Sequence, residues 1–252
     1  MTSDDGIRAA GLRQLAQGLR DAGHGVVVVA PEEDASGSGT GLRWPRGGSL
    51  VVSETIEAGV RYVGIAGTPA LAVLAGMQGL VGRRPRCVAV GVNHGSNTGR
   101  EILHSGTVGA ALTAAAYGAS ALAVSIDSDR PRHLETAVLV GQRCLAWLRT
   151  ARKRTVLNVN VPDIASGRVR GLRPARLAAV GQRRLVFGSR YDTADGTARI
   201  ADGTVTLDPQ SDAGLLAAGF VPVTLLRGVS AVPSAEAAAE LEPLLDGGDP
   251  DE

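Results

Sequence analysis

Lysine is nearly missing from this sequence: Lys153 is the only one, and the other basic residues are arginines. With Ala and Gly abundant, that bias reads as genomic base composition and not as a binding signal. An excess of one charge is missing too. Lys and Arg number 26 against 25 for Asp and Glu, a formal net charge of +1. Nucleic acid and membrane surfaces are therefore excluded as partners attracted by whole-chain charge. Cysteine is scarce. Cys87 and Cys144 stand far apart with no zinc or redox spacing, so buried thiols in a reducing cytoplasm are expected, and no disulfide. The N-terminus lacks the basic-then-apolar pattern of a secretion signal, which also points to a cytoplasmic location. One uncharged stretch, 105–126, has the length of a bilayer span. It is rich in Ala and Gly, carries Ser105, Thr107, Thr113, Ser120 and Ser125, and breaks near Gly118. A buried helix followed by a buried strand is the expectation there. The basic run from Arg149 to Arg154 falls at the end of a predicted helix, where cations favour the dipole and solvent.

The 252 residues, 44% apolar and 20% charged, suit one large α/β domain with an extension. Leu12, Leu15, Ala16, Leu19 and Ala22 recur at helical spacing and Gly23 follows as a stop, so the pattern predicts a helix over 7–22. The continuous run Val26 to Val29 predicts a strand over 24–30, buried on both faces. The alternation then repeats: strand 61–66, helix 69–80, strand 87–92, helix 107–117, strand 121–126, helix 134–148 and strand 155–159. Such alternation with short connections predicts a Rossmann-like, doubly wound, mostly parallel sheet. After Pro162 the texture changes to short segments at 169–172, 184–187, 198–200, 204–207 and 221–226, separated by turn residues. We therefore expect a core over 1–165, then a C-terminal β-hairpin arm with a terminal helix over 166–252. That helix is placed at 234–245, ahead of an acidic tail at 246–252. The start is anomalous: only Met1, Thr2 and Ser3 precede the first acidic turn, against about five or six residues for a usual strand. Either the sequence begins late, or translation starts upstream, or the first strand is cut short.

Four polar clusters each follow a predicted strand position: Asp4-Asp5-Gly6, Ser36-Gly37-Ser38-Gly39, the run Asn93 to Asn97, and Ser105-Gly106-Thr107. In an open α/β sheet the loops at the strands' carboxyl ends line one crevice. Adjacent carboxylates, a hydroxyl and an amide oxygen are hard ligands that suit Mg²⁺, Mn²⁺ or Ca²⁺ better than zinc. Ser105-Gly106-Thr107 at a helix start offers free N–H groups, hydroxyls and the positive dipole end, a cradle for phosphate. Taken singly, each cluster has a plainer account: a turn or cap for Asp4-Asp5-Gly6, a loose loop for 36–41, an Asx-turn for Asn93, an N-cap for Ser105. A cation beside a phosphate cradle fits phosphoester hydrolysis, since the metal polarises the ester and lowers the pKa of its water.

The ordered set Asp4–Ile7, Ala30–Gly37, Gly67–Pro69, Gly91–Gly99, Ser105–Ala111 and Asn158–Pro162 resembles the SurE family of 5′(3′)-nucleotidases, with a weaker echo from Ser211-Asp212 through Gly219-Phe220-Val221 to Thr224. The resemblance implies a phosphomonoesterase, of the 5′-nucleotidase or acid-phosphatase type, acting on nucleoside 5′- and 3′-monophosphates. It implies a divalent metal, Mg²⁺ or Mn²⁺, on Asp4, Asp5, Ser36 and Asn93. It also implies Asp4 and Asp5 as catalytic groups and a phosphate pocket of Asn97, Ser105, Gly106 and Thr107. Assembly as a homodimer or homotetramer through residues 166–252 follows from it as well. The chain departs from the family pattern at Ser3, Leu71, Val90, Arg100-Glu101 and His104. From these we expect lost polarity around the metal ligands at Ser3 and Leu71, and added positive charge at the mouth from Arg100. A catalytically impaired member that binds nucleotide or metal is the alternative reading. A dinucleotide-dependent oxidoreductase is disfavoured because Gly37, Gly39 and Gly41 lack the Gly-x-Gly-x-x-Gly spacing and no helix follows directly.

Overall fold

The computed structural model describes residues 1–179, 185–187, 200–202 and 206–229. The expected helix at 234–245 and the tail at 246–252 lie outside the described residues, as does part of 204–207. In chain order the elements are α1 (Ala10–Asp21), β1 (Val27–Pro31), β2 (Val51–Glu57), β3 (Val60–Ile65), α2 (Pro69–Met77), β4 (Cys87–His94), α3 (Gly106–Ala116), β5 (Ser120–Ile126), α4 (Leu134–Leu148), β6 (Val156–Val161), β7 (Leu172–Pro174), β8 (Leu185–Phe187), β9 (Ile200–Asp202), α5 (Asp212–Ala217) and β10 (Val221–Leu226).

Two sheets, β1-β3-β2 and β4-β5-β6-β10-β7, are joined by the first two residues. The Val29 N–H donates to Met1 O at 2.9 Å and Met1 N to Val27 O at 2.7 Å, while Thr2 N donates to Ala89 O at 3.2 Å and Gly91 N to Thr2 O at 3.0 Å. Met1-Thr2 thus holds the central position between β1 and β4, and the order β3-β1-(Met1-Thr2)-β4-β5-β6 is the doubly wound 3-2-1-4-5-6 arrangement. A cavity of ≈ 690 Å³, lined among others by Val26, Val27, Cys87 and Val88, continues from Met1 between the two strands.

Strand alternation sorts the core into two layers. Ala89, Leu122, Val124, Leu157 and Val159 face α1 and α4, where they meet Leu15, Leu19, Val140 and Leu148. Val88, Val90, Ala121, Ala123 and Val156 face the other way, toward α2 and α3. The α3 face is built from Gly109, Ala110, Ala111, Ala114 and Ala115, all buried. Small residues on helix and strands alike let α3 approach the sheet closely.

Some expectations shift. The 7–22 helix begins only at Ala10, because Ile7 N donates to Pro31 O and Gly6 takes a φ of 89°. β2 is an unanticipated edge strand, antiparallel to β3 through a two-residue turn in which Ala58 and Gly59 have φ of 46° and 75°. Positive φ at both central residues is what a twisted hairpin demands. The segments expected near 169–172 and at 221–226 do not form a hairpin with each other: β10 runs antiparallel to β6 and parallel to β7, at the edge of the main sheet. β8 and β9 do pair antiparallel. The 105–126 stretch is α3 followed by β5, and no helix among the described residues is long and apolar enough to cross a membrane.

Leu122, wholly buried at the centre of β5, is the sharpest probe of this packing. Leu122→Ala is expected to cost about 2–5 kcal/mol, measured as a drop in the denaturant midpoint at unchanged slope.

Candidate active site

The acidic turn follows directly from the central Met1-Thr2 bridge, and Asn93 is the penultimate residue of the neighbouring β4. These are the two sides of the crevice where strand order reverses, the place where open α/β sheets bind ligands. A register shift between Val90 and Asn93 in the β4–β5 ladder re-aims the end of β4 at that crevice.

Asp4 is only 4% exposed. Its Oδ2 accepts the Thr107 N–H at 3.1 Å and its Oδ1 accepts the Thr107 hydroxyl. Asp5 Oδ2 accepts the His94 N–H at 3.3 Å and lies 3.4 Å from the Ser3 hydroxyl. Ser3 Oγ in turn accepts the Asp5 N–H at 3.3 Å. The expectation that Ser3 removes polarity here is therefore corrected: its hydroxyl is buried against Asp5 and bonded to it. Burial raises the Asp4 pKa, against the opposing Thr107 hydrogen bonds. Burial, reinforced by the Asp4 charge, lifts Asp5 to about 7. Asp34 adds negative potential at both.

The glycine-rich loop closes over the turn. Ala35 N donates to Asp4 O at 2.8 Å, Gly39 N to His104 O at 3.1 Å, and the Thr68 hydroxyl to Gly41 O at 2.5 Å. Thr68 also caps α2, accepting the Leu71 N–H, so the Gly67-Thr68-Pro69 motif both starts a helix and anchors this loop. A Cβ at Gly109 would stand 2.1 Å from Gly39 O, and one at Gly106 would stand 2.8 Å from Asp4 Oδ2 and 2.9 Å from Ser38 Oγ. Glycine at both positions is what lets loop, carboxylate and helix meet. Ser36 follows Ala35 at the exposed edge of the loop, its N–H bonded to Asp34 Oδ1 at 2.7 Å. Ser38, two residues on, carries a buried hydroxyl with no partner among the described residues. It belongs to the Ser36–Gly39 polar cluster, although the family resemblance assigns only Ser36 as a ligand.

Asn93, 9% exposed, donates its amide nitrogen to His94 O at 3.2 Å and Gly95 O at 2.7 Å. The amide oxygen is its remaining polar side-chain atom. Asn97 is held on all sides. Its N–H donates to Asn160 Oδ1 at 2.7 Å, its O accepts from Asn158 at 2.9 Å and Asn160 at 2.8 Å, and its amide nitrogen donates to Ser125 Oγ at 2.8 Å. Ser125, Asn158 and Asn160 were missed as site residues. Two asparagines at alternate positions of an otherwise apolar buried strand are the signal that could have found the latter pair.

At the start of α3, Ser105 accepts the Val108 N–H at 3.1 Å as N-cap. Thr107 gives both its donors to Asp4, and the Gly106 N–H finds no acceptor among the described residues. Ser96, Asn97, Thr98, Glu101, His104 and Ser105 line a cavity of ≈ 100 Å³ beside this helix end. The charge at its wall is Glu101; Arg100 points into solvent. Leu71 is half-buried against the cluster of Val29, Val63, Ile65 and Ala72, and Val90 is buried in the sheet core.

The donor set fits a hard cation: one buried and one half-buried carboxylate that repel each other, with amide and hydroxyl oxygens nearby. Among the described residues no three of His, Cys, Asp and Glu cluster as ligands, so further ligands have to come from Ser, Asn or water.

Comparison with known proteins identifies the family of the chain. The sequence model of the family described as survival protein SurE matches residues 1–185. The chain is 39% identical to the 5′-nucleotidase SurE of Nitratidesulfovibrio vulgaris (strain DSM 19637 / Miyazaki F), covering 90% of this chain and 85% of that protein. It is 36% identical to the 5′/3′-nucleotidase SurE of Edwardsiella ictaluri, over 90% of this chain and 88% of the other. Its structure superimposes on the crystal structure of the SurE protein from Aquifex aeolicus with a TM-score of 0.79 at 26% identity, covering 97% and 98% of the two chains. Since the family model covers most of the chain and these relatives are matched along 85% or more of their own length, this chain belongs to the SurE family.

Proposed function

We infer that this protein is a phosphomonoesterase that hydrolyses nucleoside 5′- and 3′-monophosphates to nucleoside and phosphate. The observation that carries the reading is the carboxylate pair at the start of the fold: Asp4, buried against the N-terminus of α3, and Asp5, half-buried next to it. A pair of carboxylates is a place for a cation, and a helix N-terminus is a place for an anion.

In this reading Asp4, Asp5, Asn93 and Ser36 hold a divalent ion, Mg²⁺ or Mn²⁺. Once bound, such an ion supplies Lewis-acid polarisation of the ester and a water acidic enough to attack phosphorus. The chain's own groups do the rest. Thr107 fixes the Asp4 carboxylate, and the His94 N–H with Ser3 fixes Asp5. The Gly106 N–H and the Ser105 hydroxyl, aided by the helix dipole, meet the non-bridging phosphate oxygens as charge develops. Asn97, locked by Asn158, Asn160 and Ser125, shapes the wall of the anion pocket. Thr107 serves that pocket indirectly, through Asp4. We further place the protein in a reducing cytoplasm, which suits two free thiols; burial pushes the Cys144 thiol up to about 11. We propose assembly as a homodimer or homotetramer through residues 166–252.

Phosphate release from a panel of nucleoside 5′- and 3′-monophosphates, with Mg²⁺, Mn²⁺ or EDTA, tests the activity directly. Release is expected with either metal and is abolished by EDTA; a folded, metal-loaded sample that releases none overturns the reading. Asp5→Asn is expected to lower kcat by at least about 10²-fold. Without metal its melting temperature should equal or exceed the parent's, because the exchange removes a buried charge repelled by Asp4. Full activity in this variant would sink the assignment of Asp5.

A further inference from the structure

Asp212 is wholly buried in the first turn of α5, and no Lys, Arg or His among the described residues pairs with it. A buried carboxyl group is costly unless its lone pairs are filled. Here they are filled by backbone N–H groups from three separate stretches of chain. Asp212 Oδ1 accepts from Ala178 at 2.9 Å and from Ala213 at 2.8 Å, and Oδ2 accepts from Gly99 at 2.9 Å. The Asp212 N–H donates to Arg176 O at 2.9 Å, which fixes the residue from behind.

The Gly99 contact is the one that matters for chemistry. Gly99 ends the loop that carries Asn97 and opens the short helical turn Arg100–His104 leading into Ser105. Its backbone, at φ 66° and ψ −166°, lies in a region that only glycine enters readily. The loop is pinned at three points. Asp5 holds its start through the His94 N–H, Asn158 and Asn160 hold its middle through Asn97 O, and Asp212 holds its end. The cavity beside α3 is bounded by the stretch between the last two pins.

We propose that Asp212 is a positioning residue for substrate phosphate: acting through the Gly99 N–H, it fixes the wall of the anion pocket from the C-terminal side of the sheet. The assignment rests on the nucleotidase reading and deepens it. It also gives the Ser211-Asp212 motif a task that the metal site leaves open.

Asp212→Asn separates the contacts. The single amide oxygen can still serve Ala178 and Ala213, which share Oδ1, while the NH₂ group then faces the Gly99 N–H and that link is lost. The readouts are KM and kcat for a nucleoside monophosphate, the inhibition constant of inorganic phosphate, and the thermal shifts produced by phosphate and by Mn²⁺. Asp212→Asn is expected to raise KM and the phosphate inhibition constant about tenfold, and to leave the Mn²⁺ shift intact. Ser211→Ala removes the cap of the same helix, whose Oγ accepts the Gly214 N–H. It should lower the melting temperature without changing phosphate affinity, which separates positioning from mere destabilisation. Gly99→Ala disturbs the same contact from the loop side and should match Asp212→Asn, with the double variant no worse than the weaker single. The proposal is overturned if Asp212→Asn keeps KM and phosphate inhibition within twofold of the parent. If that variant does not fold, unchanged phosphate affinity in Gly99→Ala overturns it equally. A parent that neither turns over nor shifts with phosphate would instead fail the functional reading itself.

Discussion

The contact between the Asp4 carboxylate and the first turn of α3 organises this molecule. Thr107 N–H is one of the donors that a helix leaves without an internal partner, and Asp4 takes it together with the Thr107 hydroxyl. Hydrogen bonds to a charged group are worth about 1.5–3 kcal/mol each, and the helix dipole adds up to about 2 kcal/mol in a partly buried setting. Burying a carboxylate costs several kcal/mol, and a second one follows immediately in Asp5. The favourable terms do not cover both charges, which is why the pKa values of both residues move upward despite their donors. In the proposed reading a divalent cation would restore the balance, since hard oxygens such as those around the turn are the ligands it prefers.

That contact requires the N-terminus of α3 to reach the central strand position, and strand parity makes this so. Residues on one face of β5 are Ala121 and Ala123, and on the other Leu122 and Val124. The small face receives a helix whose buried side is largely Gly and Ala, which permits close approach, and the large face carries α1 and α4. Further along the same small face come Ser125, Asn158 and Asn160, past the start of α3 and beneath the 93–99 loop. One alternation therefore does two jobs, packing the helix at one end and furnishing a polar floor at the other.

Much of this was legible in the sequence because it rests on local pattern. The Val26 to Val29 run, the 134–148 periodicity and the Ala-rich helix each identify their own element, and polar residues after strands announce the crevice. What escaped depends on partners far along the chain. β2 has three apolar residues, Val51, Val52 and Ile56, in no strict alternation, and gains its place by pairing with β3. Asp212 is 113 positions from the Gly99 N–H it receives, and nothing around it spells a loop anchor. Ser3 looked like a loss because a side chain was compared with the family's usual one; the fold shows that a hydroxyl is long enough to bridge Asp5 N–H and carboxylate. Thr107 stands at a helix start that offers donors, and sequence alone does not say that the Asp4 carboxylate accepts them in the fold.

The departures from the family pattern also find a physical explanation. The groups that hold the site in place are largely main-chain: His94 N–H on Asp5, Thr107 N–H on Asp4, Gly39 N–H on His104 O, Gly99 N–H on Asp212. A main-chain donor is supplied by any residue except proline, so exchange of a side chain at Val90 or His104 leaves the hydrogen-bond frame standing. What such a frame does not tolerate is a new Cβ where two segments touch, as at Gly106 and Gly109. Constraint in this site therefore falls on the glycines and on the few carboxyl and amide side chains that accept or bridge the main-chain donors. The aliphatic and aromatic positions around them are free to vary as long as the parity of the sheet is kept.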